Sequence, residues 1–194
     1  MNADEVKTLL GLVPHPREGG WYVRTWEAAE WLPQASFAEA RYPSPRRVST
    51  AIYYLLEPGT FSEMHRLASD EVFHHYLGAP VEMLQLQPAV AGMAIAGSSG
   101  ATEGSAVAAE RNSSSVHVLG SDLCAGQRPQ LVVPRGTWQG SRLLPGDDGP
   151  ENFALLGCVV APGFEFEDYT AGSHAELAAG WPEQAERIRA LTRA

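Results

Sequence analysis

From Ser49 to Gln87 the chain runs as four short stretches, STAIYYLL, FSEMHRL, EVFHHYL and VEMLQLQ, parted only by EPGT, ASD and GAP. Stretches this short, rich in β-branched and aromatic residues and bounded by turn formers, are strands. The pattern resumes with VHVLG, PQLVVP, Trp138 to Leu144 and FALLGCVVAP, and it is foreshadowed at Trp21 to Trp26. Many short strands with regular turn signals mean a sandwich or barrel, so the expected fold class is all-β.

The first of these strands has a peculiarity. Ala51, Tyr53 and Leu55 point one way and Ile52, Tyr54 and Leu56 the other, so both faces are apolar. An antiparallel sheet can leave one face in water. A doubly apolar strand therefore requires cover from another element or from a second subunit, and a homodimer is expected on that ground.

Helices are expected only at the ends. Residues 4–10 put Val6, Leu9 and Leu10 on one face behind Asp4 and Glu5, with Gly11 to stop the turn. Residues 175–179 and 184–191 form two more helical pieces around Gly180-Trp181-Pro182. Pro33, Pro43 and Pro45 make residues 28–46 a long loop. The Arg41, Arg46 and Arg47 patch inside it is expected to be solvated. Residues 89–115, dominated by Ala, Gly and Ser, form a flexible surface insertion in a single domain spanning 1–194.

With 14 Lys and Arg against 23 Asp and Glu, the net charge of −9 disfavours nucleic acid as a partner. No apolar run approaches the ~20 residues that span a bilayer, which argues against a membrane. Cys124 and Cys158 stand far apart with no CxxC pattern, and the start MNADEVKTLL lacks a basic leader. A cytoplasmic protein is expected.

The chemistry lies in two places. Gly59, His65, Leu67, Glu71 and Gly78 form one series, and Pro134-Arg135-Gly136-Thr137-Trp138-Gln139 another. The series resemble the first and second motifs of the cupin superfamily. Together with LLGLVPHPREGGWYVRTWE, GCVVAPGFEFEDYTAG and the closing WPEQAERIRALTR, the chain is similar to the cupin-5 family, also called domain of unknown function 985. The resemblance implies a double-stranded β-helix, a small jelly-roll barrel with short terminal helices, commonly a homodimer. It implies a fold and no particular reaction.

Alternation puts His65 and Leu67 on one face, and puts Glu71, Phe73 and His75 together on the next strand with His74 opposite. If His65 and Glu71 point inward they meet near the barrel centre, and the resemblance brings Gln139 to the same place. Metal-binding cupins use an H-x-H pair, a Glu and a further His. Leu67 and Gln139 stand at two of those positions, so no cofactor is expected, and a divalent metal, if bound, falls to His65, Glu71 and Gln139 with help from an inward His75.

Acid-base chemistry is the alternative. Histidine changes charge near neutral pH and a carboxylate can orient it, which suits proton transfer. The resemblance to cupin epimerases adds a Tyr, for which Tyr53 or Tyr22 is the candidate. The catalytic set is therefore His65, Glu71 and Tyr53. Tyr22, Arg24, His75, Trp138 and Gln139 are the expected ligand-binding residues, supplying a cation and aromatic walls for a small sugar-like or nucleotide-like ligand with an anionic group. His15, Arg17 and Glu18 either rim this pocket or face solvent. Three functions remain open: a small-molecule-binding barrel; an enzyme, either a sugar-derivative epimerase or isomerase with His65 as general base or a metal-dependent cupin enzyme; and a dimeric structural or interaction module.

Overall fold

A computed structural model describes residues 1–37, 41–89, 112–146, 149 and 152–193. Helix α1 (Ala3–Leu10) opens the chain and closes on Gly11 in the left-handed conformation. A capping box starts it, with Asn2 and Glu5 each satisfying the other's backbone N–H at 3.0 Å.

Among the described residues thirteen strands follow: β1 (Val13–Pro14), β2 (Trp21–Glu27), β3 (Trp31–Leu32), β4 (Arg46–Arg47), β5 (Thr50–Leu56), β6 (Phe61–Leu67), β7 (Asp70–Gly78), β8 (Val81–Gln87), β9 (Ser113–Leu119), β10 (Gln130–Val133), β11 (Trp138–Leu143), β12 (Ala154–Ala161) and β13 (Tyr169–Ala171). Helices α2 (His174–Gly180) and α3 (Ala185–Ala190) end the chain. A six-stranded sheet has the order β1-β2-β5-β12-β7-β10 and a five-stranded sheet the order β13-β6-β11-β8-β9, every pair antiparallel. From β5 onward successive strands change sheets, except that β8 pairs directly with β9. The winding is that of a jelly-roll barrel, the all-β fold expected, with short helices at both ends.

The inner faces meet in one core. Tyr54, Leu56, Phe73, Leu156 and Cys158 from the larger sheet pack on Val81, Met83, Leu119 and Leu143 from the smaller. The outer face of the smaller sheet, through Met64, Leu84 and Leu86, is covered by Leu177, Trp181, Ile188 and Leu191 from the C-terminal helices. The outer face of the larger sheet is covered by α1, whose Val6 packs with Leu12 on Leu55 and Leu155. The doubly apolar strand thus finds part of its cover within its own chain.

Three expectations change. Residues 28–46 are not loop throughout, because β3 and β4 pair within and at the end of that stretch, Leu32 opposite Arg46, with a 3-10 turn at Gln34–Ser36. Residues 113–115 belong to β9 rather than to an insertion; 90–111 lie outside the described residues. The Arg41 to Arg47 stretch is not a solvated patch throughout, since the Arg46 side chain is 0% exposed. Its guanidinium grips Asp168 in two bonds of 2.9 and 2.7 Å and reaches Glu167 at 2.7 Å. A planar fork matched to a carboxylate is the arrangement that makes a buried arginine tolerable. It ties the strand before β5 to the turn before β13.

No described helix is long and apolar enough to cross a membrane.

Candidate functional site

One end of the lumen is polar. β6 carries His65, β7 Glu71 and β11 Gln139, and the β6–β11 register sets Gln139 opposite His65. A slip in that register between Ser62 and His65 lets Met64 turn out to the C-terminal helices while His65 stays inside. In β7, Glu71 is followed inward by Phe73. The turn before β11 is made by Gly136 at φ 76, a conformation that favours glycine.

The three side chains are joined. Gln139 Nε2 donates to Glu71 Oε2 at 2.6 Å and lies 3.3 Å from His65 Nε2. His65 Nδ1 is 2.6 Å from the Glu63 carbonyl, which can only accept, so Nδ1 carries the hydrogen and the neutral ring keeps its lone pair on Nε2. Burial, reinforced by the Glu18 carboxylate, pushes Glu71 up to about 8, against the opposing hydrogen bond from Gln139. At neutral pH Glu71 therefore holds a proton, and because Oε2 accepts from Gln139 the proton belongs on Oε1.

A cavity of about 30 Å³ opens beside these groups, lined by His15, Glu18, Arg24, His65, Leu67 and Glu71 together with β5, β12 and Phe164 side chains. Glu18 accepts from Ser62 Oγ and sits 3.8 Å from His15 Nε2. His15 Nδ1 accepts from the Glu18 backbone N–H at 2.8 Å, and burial pulls its charged form down. Tyr169 stacks on His65 with centroids 5.0 Å apart and planes at 17°. Its phenol is pushed up by burial and by Glu18 and Glu63. Three buried lumenal atoms have no partner: Gln139 Oε1, Ser141 Oγ and Tyr169 Oη. With no partner from the protein itself, these atoms are available to a water or to a ligand's polar groups.

The expected residues divide. His65, Glu71, Gln139 and Arg24 come together around the cavity. Tyr22 approaches through His15, edge to face at 4.6 Å. Tyr53 does not join them, because it sits on the outer face of β5 against Tyr76, with the ring of Tyr54 taking the inner side. Trp138 also faces outward, among the C-terminal helix residues and under Arg66 at 4.6 Å. His75 lies opposite Leu156 on the inner side but four residues beyond Glu71, roughly 13 Å along the strand. Its Nε2 is engaged with the Ala79 carbonyl at 3.0 Å. Arg24 is not paired with Glu71; it donates to Glu27. Ser62, Cys158, Phe164 and Tyr169 were not expected, and His15 and Glu18 prove to rim the pocket.

The expected trio offers a metal one imidazole, one carboxyl and a neutral amide, while the other imidazole and carboxyl at the cavity, His15 and Glu18, are engaged with each other and with Ser62. Leu67 lines the cavity where a donor is needed. Among the described residues no three His, Cys, Asp or Glu are arranged to hold a metal ion. This donor set does not fit a transition metal.

The fold has solved counterparts. A protein from Shewanella oneidensis is 30% identical with a TM-score of 0.73, the match covering 100% of this chain and 98% of that one. A hypothetical protein from Leishmania major is 27% identical with a TM-score of 0.77 and 100% of both chains covered. The L-ribose isomerase of Cellulomonas parahominis shares the fold at 19% identity and a TM-score of 0.53, over 90% of this chain and 74% of its own. Among curated proteins, an uncharacterized protein of Saccharomyces cerevisiae is 44% identical over 52 residues, which is 27% of this chain and only 25% of the yeast protein. A family model described as the cupin superfamily (DUF985) matches residues 4–172, both motifs included, and the chain belongs to that family.

Proposed function

We propose that the protein binds a small polar molecule at the polar end of its barrel and moves a proton on it, the chemistry of a sugar-derivative isomerase or epimerase. One observation carries the reading: the carboxyl of Glu71, which burial pushes up to about 8, and His65 Nε2 are held on the two sides of one amide, beside a cavity. A neutral acid beside a neutral base is what proton transfer next to a carbonyl needs.

In this scheme His65 Nε2 removes a proton from a carbon adjacent to a carbonyl, and Glu71 gives its own proton to the carbonyl oxygen. The electron pair of the broken C–H bond becomes the C=C of an enediol. Delivery of the His65 proton to the neighbouring carbon, while the enediol's other hydroxyl returns a proton to Glu71, gives the isomer and restores both residues; delivery to the original carbon gives the epimer only when the enediol has turned its opposite face to His65. The cavity of about 30 Å³ is one water in size. A ligand larger than this must displace cavity-lining side chains such as Phe164 or Leu67 to enter.

The test is incubation in D₂O with aldoses, ketoses and their phosphates, read by mass spectrometry. Deuterium should enter at the carbon beside the carbonyl of at least one compound, and His65→Ala should abolish this while keeping the melting temperature. A panel in which nothing exchanges argues for binding without turnover.

A second reading concerns assembly. Tyr53, Tyr76, Leu77, Leu9 and Leu155 line an apolar hollow of about 400 Å³ beside α1, and Leu77 and Leu9 are 45% and 74% exposed. We propose that a second copy covers this face, as the doubly apolar β5 anticipates. Sedimentation at micromolar concentration should give a dimer, and Leu77→Glu a monomer. Two free cysteines, Cys124 and Cys158, suit a cytoplasmic location.

A further inference from the structure

Arg24 is the one cation lining the lumenal cavity among the described residues, and it is held by groups that a ligand can replace. Its Nη1 donates to Glu27 Oε1 at 2.6 Å and its Nη2 to the Phe164 carbonyl at 3.3 Å. The other oxygen of Glu27 lies 3.3 Å from Nε of Arg47. Arg47 is fixed in turn, donating to the Ala28 carbonyl at 2.9 Å and lying 4.4 Å over the Trp31 ring. One carboxylate, 39% exposed, is thus clasped between two arginines from β2 and β4 at the mouth of the barrel.

Glu27 has the properties of a stand-in. It lies at the end of β2, past the register slip between Arg24 and Trp26, so its side chain can swing to solvent without disturbing the sheet. Exposed ion pairs hold weakly. The arginines stay where they are if Glu27 leaves, because each has a second anchor. What they then present is two forked donors around a space already shown to fit an oxyanion. β2 lies three strand steps from β7, roughly 14 Å. Two inward side chains reduce that span to the length of a small molecule with an anion at one end and a carbonyl at the other.

We infer that Arg24 and Arg47 bind the anionic group, phosphate or carboxylate, of a ligand whose other end reaches His65 and Glu71, and that Glu27 occupies this place when the ligand is absent. This rests on the lumenal reading above and names its ligand class: a phosphorylated or carboxylated polyhydroxy carbonyl compound.

Binding of inorganic phosphate and of acetate, followed by NMR at constant ionic strength, tests it without any turnover. Glu27→Gln, with Glu27→Ser as a second form, should bind one or both anions about tenfold more tightly than the wild type, by relief of two exposed ion pairs. Arg24→Gln in the same background should remove the gain. The anion with the larger gain identifies the group. No gain for either anion in both Glu27 variants, with native melting temperatures, overturns the inference. Gain of anion binding together with failure of deuterium exchange across the panel would leave this site standing and remove the proton-transfer reading.

Discussion

The two ends of the lumen are built from the same strands and are equally buried, yet their chemistry is opposite. On β7 Phe73 is 1% exposed and Glu71, two residues earlier on the same face, is 6% exposed; on β11 Leu143 is 4% exposed and Gln139 is 1% exposed. At the apolar end every buried group gains from leaving water. At the polar end Gln139 Oε1, Ser141 Oγ and Tyr169 Oη go unpartnered and Glu71 is forced to keep a proton. Burial in itself thus says nothing about which end matters for stability; the satisfaction of the buried groups does.

The contrast can be broken at the apolar end first. Phe73→Ala should cost about 3–5 kcal/mol, seen as a large drop in the denaturant midpoint at unchanged slope. Arg46→Ala should follow closely, roughly 3 kcal/mol, because Asp168 is left buried without its partner. A loss under 1 kcal/mol in either would mean that the fold does not depend on these contacts.

Glu71→Gln tests the other end, and its effect depends on pH. Glu71 is raised from 4.5 in the unfolded chain to about 8 in the folded protein. Between those values the native state holds a proton that the unfolded state releases. Its contribution is therefore full below pH 4.5 and lost as pH rises to about 8, at roughly 1.4 kcal/mol per pH unit. Glu71→Gln should flatten that slope, so the variant overtakes the wild type in stability as pH rises. Parallel stability curves for the two proteins would contradict it.

The smallest effect is expected at Tyr53. Tyr53→Phe should change stability by less than about 0.5 kcal/mol and leave chemistry in the lumen untouched, because the side chain is on the outer face. Any loss of deuterium exchange in this variant would return Tyr53 to the site.

The sequence made much of this legible, and its failures have physical causes. β5 to β8 were readable because alternation and turns agree, and the turn after β7 shows why: Gly78 has φ 89 and a Cβ there would collide with the Phe153 carbonyl. Alternation let His65 and Glu71 meet if both point inward, and only the resemblance to the cupin motifs brought Gln139 to them. Tyr53 and Tyr54 were indistinguishable, since both faces of β5 are apolar and only the position of α1 shows which is outside. Trp138 could have been excluded by alternation alone, being next to inward Gln139. Arg46 could not, because its partner Asp168 is 122 residues away. Tyr169 sits in a strand of three residues, too short to show a period.

The central claim is that the polar end holds a neutral carboxylic acid ready to give its proton. A ¹³C NMR titration of the Glu71 side-chain carboxyl measures this directly. A midpoint near 8 is predicted; titration alongside the exposed carboxylates near pH 4 to 5 would contradict the account.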